Sequence, residues 1–200
     1  MENNENLGSQ EPVSNSNPVK SVNVKLIGII AVVVAVILVV FFMFFTRSAK
    51  STVKDYIKAM SKADAKKVMA LMDYEGAAAF SSTGSYSSKG YTYDFEKFED
   101  NYDEIMDKMK DMDKDEKEAY KELKEKAVDS LQDELDEMKD EDVKFTVKKI
   151  KTEKVDDCKK LTKVICDIEV KADGEKETME DVEFYTMKKG MKHYIVSAGR

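Results

Sequence analysis

Few residues in this 200-residue chain are of the types that do chemistry, and their spacing keeps them apart. His193 is the single histidine and stands beside Tyr194. Catalysis by an imidazole needs a nearby nucleophile and an orienting carboxylate, and no spacing nominates either. Strand alternation puts His193 and Tyr194 on opposite faces, with Tyr194 sharing the face of Val196. His193 is therefore expected on the outer side of a sheet. Cys158 lies in a polar run and Cys166 in an alternating apolar segment. A disulfide needs Cα atoms within about 7 Å, which that arrangement does not predict. One histidine and no C-x-x-C pair leave too few ligands for a zinc site, and no D-x-D-x-D-G loop for calcium is present. Neither a cofactor nor a metal is expected. Met106, Met109, Met112 and Met138 have the polarisable side chains of an adaptable binding surface, but their helical spacing assigns them to packing.

Charge narrows the function further. Between Asp94 and Asp142 there are 22 acids against 9 lysines, a net −13 in a chain whose total is −7. Nucleic-acid binding relies on lysine and arginine to neutralise phosphates, so this balance argues against a nucleic-acid partner. The acidic run reads as solvated helix surface.

The elements that must position these residues begin with an apolar segment. Leu26 to Thr46 holds no charge over 21 residues, about 31 Å as a helix, which matches a hydrocarbon core of about 30 Å. A cleaved secretory signal has a shorter apolar region and small residues at its cleavage site, whereas this one ends in Phe41-Phe42-Met43-Phe44-Phe45. The expectation is a retained transmembrane helix over 25–47. Before it, 1–24 is a polar tail rich in Asn, Ser, Glu and Gln, with too little apolar surface to offset the entropy of ordering. After it, 48–200 is long enough for one domain.

Within that domain Val53, Tyr56, Ile57 and Met60 recur at helical spacing, and Asp64 caps a second helix carrying Val68, Leu71 and Met72. The small-residue stretch from Gly76 to Gly90 reads as a loop. An acidic helical segment occupies 94–142, with stripes Phe95, Phe98, Tyr102, Ile105 or Met106, Met109 and then Tyr120, Leu123, Ala127, Leu131, Leu135, Met138. Asp113 or Asp115 with Glu116 or Glu118 has the spacing of a capping box, which makes two helices. One continuous helix is also compatible with the lack of Gly and Pro between Gly90 and Gly174. From Val143 the period becomes two: Val143, Phe145, Val147, then Val164, Cys166, Ile168, Val170, the Asp173-Gly174 turn, Met179 to Met187, the Lys189-Gly190 turn, and Met191 to Ala198. Helices followed by an antiparallel meander give an α+β fold, with helices covering one face of a curved sheet.

The segments VKDYIKAMSKADAKKVMALMD (Val53 to Asp73) and KVICDIEVKADGEKETMEDVEFYTMKKGMKHYIVSAG (Lys163 to Gly199) resemble the opening helices and closing strands of the nuclear transport factor 2-like superfamily, in particular its membrane-anchored bacterial members. Tyr194-Ile195-Val196 stands where that family has an aromatic-x-Ile motif after a Gly-containing turn. The resemblance covers roughly 50–72 and 143–200, and it implies a cone-shaped pocket between sheet and helices. It makes Tyr56, Asp73, Tyr74 and Tyr194 candidate pocket-lining residues. The superfamily's enzymes use Asp, His and Tyr side chains inside the cone, but no such catalytic motif maps onto this sequence, so no catalytic residue is carried over.

Two classes of function follow. The first is a single-pass, membrane-anchored envelope protein with a non-enzymatic interaction or ligand-binding domain, its partners the bilayer and an envelope protein or small ligand. The alternative is an anchored small-molecule binder or enzyme using the cone pocket, favoured if a pocket holds two or more buried ionisable groups. Lys20 and Lys25 precede the span, while Arg47, Lys50, Lys54 and Lys58 follow it, so flanking charge alone leaves the domain in the cytoplasm. The resemblance implies an extracytoplasmic domain, and that is the expectation adopted.

Overall fold

A computed structural model of the chain describes residues 47–87 and 90–199. The polar tail, and the span expected from Leu26 to Thr46, lie outside the described residues. Among the described residues no helix is long and apolar enough to cross a membrane.

The domain is α+β. Helix α1 (Ala49–Met60) starts at Ser48, whose hydroxyl accepts from Ser51 N, and buries Ala49, Thr52, Val53, Ile57 and Ala59. After a tight link, in which Ala63 takes a positive φ, Asp64 caps the short α2 (Ala65–Ala70) by accepting from Lys67 N at 3.0 Å. A third helix, α3 (Tyr74–Ser81), follows at once, and then a hairpin of β1 (Gly84–Ser87) and β2 (Gly90–Tyr93). Helix and hairpin replace the loop expected from Gly76 to Gly90. The Asp73 side chain supplies a cap to Gly76 N, and the Ala-Ala-Ala-Phe run packs Ala79 and Phe80 into the core.

A 3₁₀ turn (Phe95–Lys97) leads into α4 (Phe98–Asp111), and α5 runs from Lys114 to Asp140. The break between α4 and α5 is the capping box: Glu116 N donates to Asp113 Oδ1 and Asp113 N donates to Glu116 Oε2, both at 2.9 Å. The acidic segment is thus two helices. Leu135 is fully buried on α5, against Ala59, Ala63, Ala65 and Val68. Gln132 bridges to the α1–α2 link, accepting from Ala65 N and donating to Ala63 O. Leu123, expected on the buried stripe, is 64% exposed, while Tyr120 and Lys124 on either side of it turn toward Glu75.

Strands β3 (Lys144–Lys154), β4 (Leu161–Ala172), β5 (Glu175–Lys189) and β6 (Lys192–Gly199) form an antiparallel meander in sequence order. The Asp173-Gly174 turn has positive φ at both residues, as a two-residue hairpin of this kind requires. Register shifts interrupt all three ladders. In the middle one Asp181 takes a positive φ while its N–H donates to Asp167 Oδ1 at 3.1 Å. Such bulges bend strands. Helix α1 spans the curved sheet from edge to edge: Arg47 pairs with Lys192 beside β6, and Ser61 Oγ exchanges two hydrogen bonds with the backbone of Phe145 on β3.

Helices cover both faces, not one. Val53 and Ile57 of α1 pack with Val164, Cys166, Ile168, Val182, Phe184 and Ile195. On the opposite face Ala79 and Phe80 of α3 and Phe98 of α4 pack with Leu161, Tyr185, Met187 and Val196. The reason lies in β5 and β6, where neighbours such as Phe184 and Tyr185, or Ile195 and Val196, are apolar on alternate sides, so each face needs a cover. Cys158, although it lies in a polar run of sequence, is buried in the second cluster. Cys166 is in the first, and both are free.

Candidate functional site

The site is built where the α2–α3 junction meets the edge of β6. Ile195 N donates to Leu71 O at 2.8 Å, and Asp73 N donates to Ile195 O at 2.9 Å. This short parallel contact fixes Asp73 as the N-cap of α3, with Gly76 N donating to its Oδ1 at 3.2 Å. Residue 76 must be glycine-sized, since a Cβ there would lie 2.6 Å from Val196 Cγ1 and 2.9 Å from Asp73 Oδ2. The Asp73 side chain is 1% exposed. Lys189, from the end of β5, reaches it with Nζ 3.1 Å from Oδ1 and 3.0 Å from Oδ2. Only the first contact is directed as a hydrogen bond, so Oδ2 is ion-paired but has no hydrogen-bond donor.

Two residues on, Glu75 faces α5. Its Oε1 accepts from Lys124 Nζ at 2.9 Å and from Tyr120 Oη at 3.0 Å. The Lys124 ammonium also lies 4.8 Å from the centre of the Tyr74 ring and 4.5 Å from that of Tyr120, within cation–π range. Asp73 and Glu75 act on each other's titration, with Lys189 paired to the first and Lys124 to the second. Burial, then the Glu75 carboxyl, push Asp73 above the ordinary carboxylate range against the pull of Lys189. Burial also acts to raise Glu75, but the hydrogen bond from Lys124 and the nearby Asp73 carboxyl outweigh that and hold it at about 2. For Lys124, burial is outweighed by Glu75, and for Lys189 by Tyr102 and Asp73, so both ammoniums are raised and stay charged. Burial raises the phenols of Tyr74 and Tyr120.

Asp73, Tyr74, Glu75, Lys124 and Lys189 line a cleft of about 350 Å³ with Met69, Met72 and Tyr194. Three of the four residues nominated from the sequence, Asp73, Tyr74 and Tyr194, are therefore brought together. Tyr56 is not among them. It lies on the α1 face, in an apolar notch of about 180 Å³ with Ile57, Met60, Phe145, Ile168, Met179, Phe184 and Ala198, packed edge-on against Phe184 at 6.0 Å.

The expected faces of β6 are exchanged. Tyr194 lines the cleft and Val196 packs with α3, whereas Ile195 packs with α1. His193 is half-buried, its Nδ1 3.2 Å from Thr186 Oγ1, and burial, then Lys188, lower its pKa. Glu75, Tyr120, Lys124 and Lys189 were not nominated from the sequence. Glu75 adjoins Asp73-Tyr74, and Tyr120 and Lys124 share one face of a helix, but no local signal brings Lys189 to a carboxylate 116 residues away. Among the described residues no three His, Cys, Asp or Glu side chains converge as a metal site.

No protein-family model matches this chain, and comparison with curated proteins finds no significant relative.

Proposed function

We propose that the chain is a single-pass, membrane-anchored envelope protein of nuclear transport factor 2-like build, whose extracytoplasmic domain binds a small ligand without transforming it. The observation that carries the binding role is the cleft at the α2–α3 junction, where a buried aspartate, a largely buried glutamate and two lysines meet three tyrosines and two methionines. Concave sites with a few convergent polar groups and shifted pKa values are where ligands bind. Binding is favoured over catalysis because both amines are held protonated, which removes their nucleophilic form. The Asp73 carboxyl lines the cleft but is almost wholly buried and ion-paired with Lys189, so it is engaged within the fold rather than free to take up a substrate proton.

The test follows the methionines. In the full chain in nanodiscs with ¹³C-labelled methionine methyls, Met69 and Met72 are assigned by substitution to leucine, and a metabolite extract is titrated in. Perturbation of these two methyls, with Met179 in the apolar notch unmoved, supports a ligand cleft. If neither responds, the reading fails. The alternative, a binder or enzyme using the cone pocket, would take its ligand in the apolar notch around Tyr56, whose lining holds no charged side chain, and would instead move Met60 and Met179.

A further inference from the structure

The chain places one of its own ammonium groups in the cleft wall. Lys124 Nζ donates to Glu75 Oε1 at 2.9 Å and sits 4.8 and 4.5 Å from the ring centres of Tyr74 and Tyr120. Tyr120 Oη donates to the same carboxylate oxygen at 3.0 Å, which fixes that ring beside it. Two aromatic faces and one carboxylate are what desolvated ammonium recognition needs, since ring quadrupoles attract the cation and the carboxylate accepts its N–H. The Glu75 side chain is 14% exposed while that of Lys124 is 34% exposed. The carboxylate is the floor of the box, and the lysine enters from the solvent side.

We propose that this box is a binding site for an external primary ammonium, which enters by displacing Lys124. The proposal rests on the ligand-binding reading of the cleft and names the ligand's class. A primary amine is specified because the floor contact is a hydrogen bond to Glu75 that a quaternary ammonium has no N–H to make. Displacement keeps the charge count: one cation leaves for solvent as another enters, and Glu75 is never left unpaired, the state that is costly for a half-buried carboxylate. Met69 and Met72, flexible and apolar, are placed along the cleft to meet the carbon chain of the amine. The net −13 of the segment carrying α4 and α5 concentrates cations around the mouth. The resident lysine acts as a tethered competitor, so wild-type affinity is reduced by the fraction of time the box is filled.

The test uses the full chain in nanodiscs at low salt, with n-butylammonium and tetramethylammonium as probes and calorimetry as readout. Lys124→Met retains the apolar stem and removes the competitor. It should bind butylammonium at least tenfold tighter than wild type and tetramethylammonium at least tenfold more weakly than butylammonium. Adding Glu75→Gln to that variant should remove butylammonium binding, with Tyr120→Phe on the same background as a milder probe of the floor. Thermal unfolding of each variant shows which are folded. If Lys124→Met proves unfolded, wild type takes its place: butylammonium must then shift the Met69 and Met72 methyls, and raised salt must weaken that effect. Equal affinity of wild type and a folded Lys124→Met variant, no preference for the primary amine, or persistence of binding after Glu75→Gln each overturns the proposal. If amines fail while a metabolite still moves those methyls, the ammonium class falls and the cleft stands.

Discussion

At the scale of single residues, the acidic pair in the cleft gives the domain two opposed pH dependences. Glu75 is held at about 2, below the ordinary value of about 4.3 for glutamate. Its contribution to stability is present above that ordinary value and is lost as pH falls through about 2. Asp73 is raised, so its contribution is complete below its unfolded value and is lost as pH rises through the folded one. Glu75→Gln should therefore flatten the loss of stability between about pH 4 and pH 2, read as urea midpoints across a pH series. Superimposable acid limbs for wild type and variant would refute the assignment. A second contrast lies in β4. Ile168 is 7% exposed among Ile57, Cys166 and Phe184, so Ile168→Asp puts a charge in apolar surroundings at a cost of several kcal/mol. Its neighbour Glu169 points to the other face, where Lys148 and Lys176 meet it at 3.1 and 3.5 Å, and Glu169→Lys should cost a small part of that. Equal thermal shifts in the two variants would mean that the strand is not one-sided at this point.

Elements were legible in the sequence where their signals are local, and illegible where tertiary contact decides. The cap at Asp64 depends on a side chain and a backbone group three residues apart, so spacing alone exposes it, whereas the same spacing at Asp113 and Asp115 offered a break without deciding between two helices and one. Helix α3 was hidden, since its small residues also suit a loop and its cap depends on Asp73 being held by the edge of β6. The exchange of faces at Tyr194 and Val196 was also beyond local reading. Strict alternation says which residues share a face but not which face meets α1, and Ile195 and Val196 are both buried because each face of the sheet has its own cover. Of the cleft, Asp73, Tyr74 and Tyr194 were legible, while Glu75, Tyr120, Lys124 and Lys189 depend on how α5 and the end of β5 pack. Gly76 tests how tightly α3 is set. Alanine there gains about 1 kcal/mol in helix propensity, but its methyl would press on Val196, which is 3% exposed, and on the Asp73 carboxylate. Overpacking typically costs about 1–3 kcal/mol, so Gly76→Ala should lower the unfolding temperature. A rise would show that α3 shifts freely.

For the whole molecule, the envelope setting proposed for the cleft and the acidic helices depends on the proposed anchor. Leu26 to Thr46 holds 16 Leu, Ile, Val and Phe residues and no charge. On insertion scales each such apolar residue favours the bilayer by about 0.3–0.6 kcal/mol at the helix centre, less toward the ends, while a central Arg opposes it by about 2.5–3.5 kcal/mol. Replacing Val34 and Ile37 with Arg thus introduces about 5–7 kcal/mol against the roughly 4–8 kcal/mol left in the other 14 residues. Two substitutions bring insertion near balance and should leave a divided population after alkaline carbonate extraction. A third, Val40→Arg, should move most of the chain to the supernatant. Folding should survive, because the three core clusters are built from residues 49–196, and the released triple variant should unfold cooperatively with both helix and strand signals. Retention of the triple variant in the extracted membrane pellet, or a wild-type protein whose mature chain begins after Thr46, would remove the anchor and with it the envelope setting proposed for the cleft.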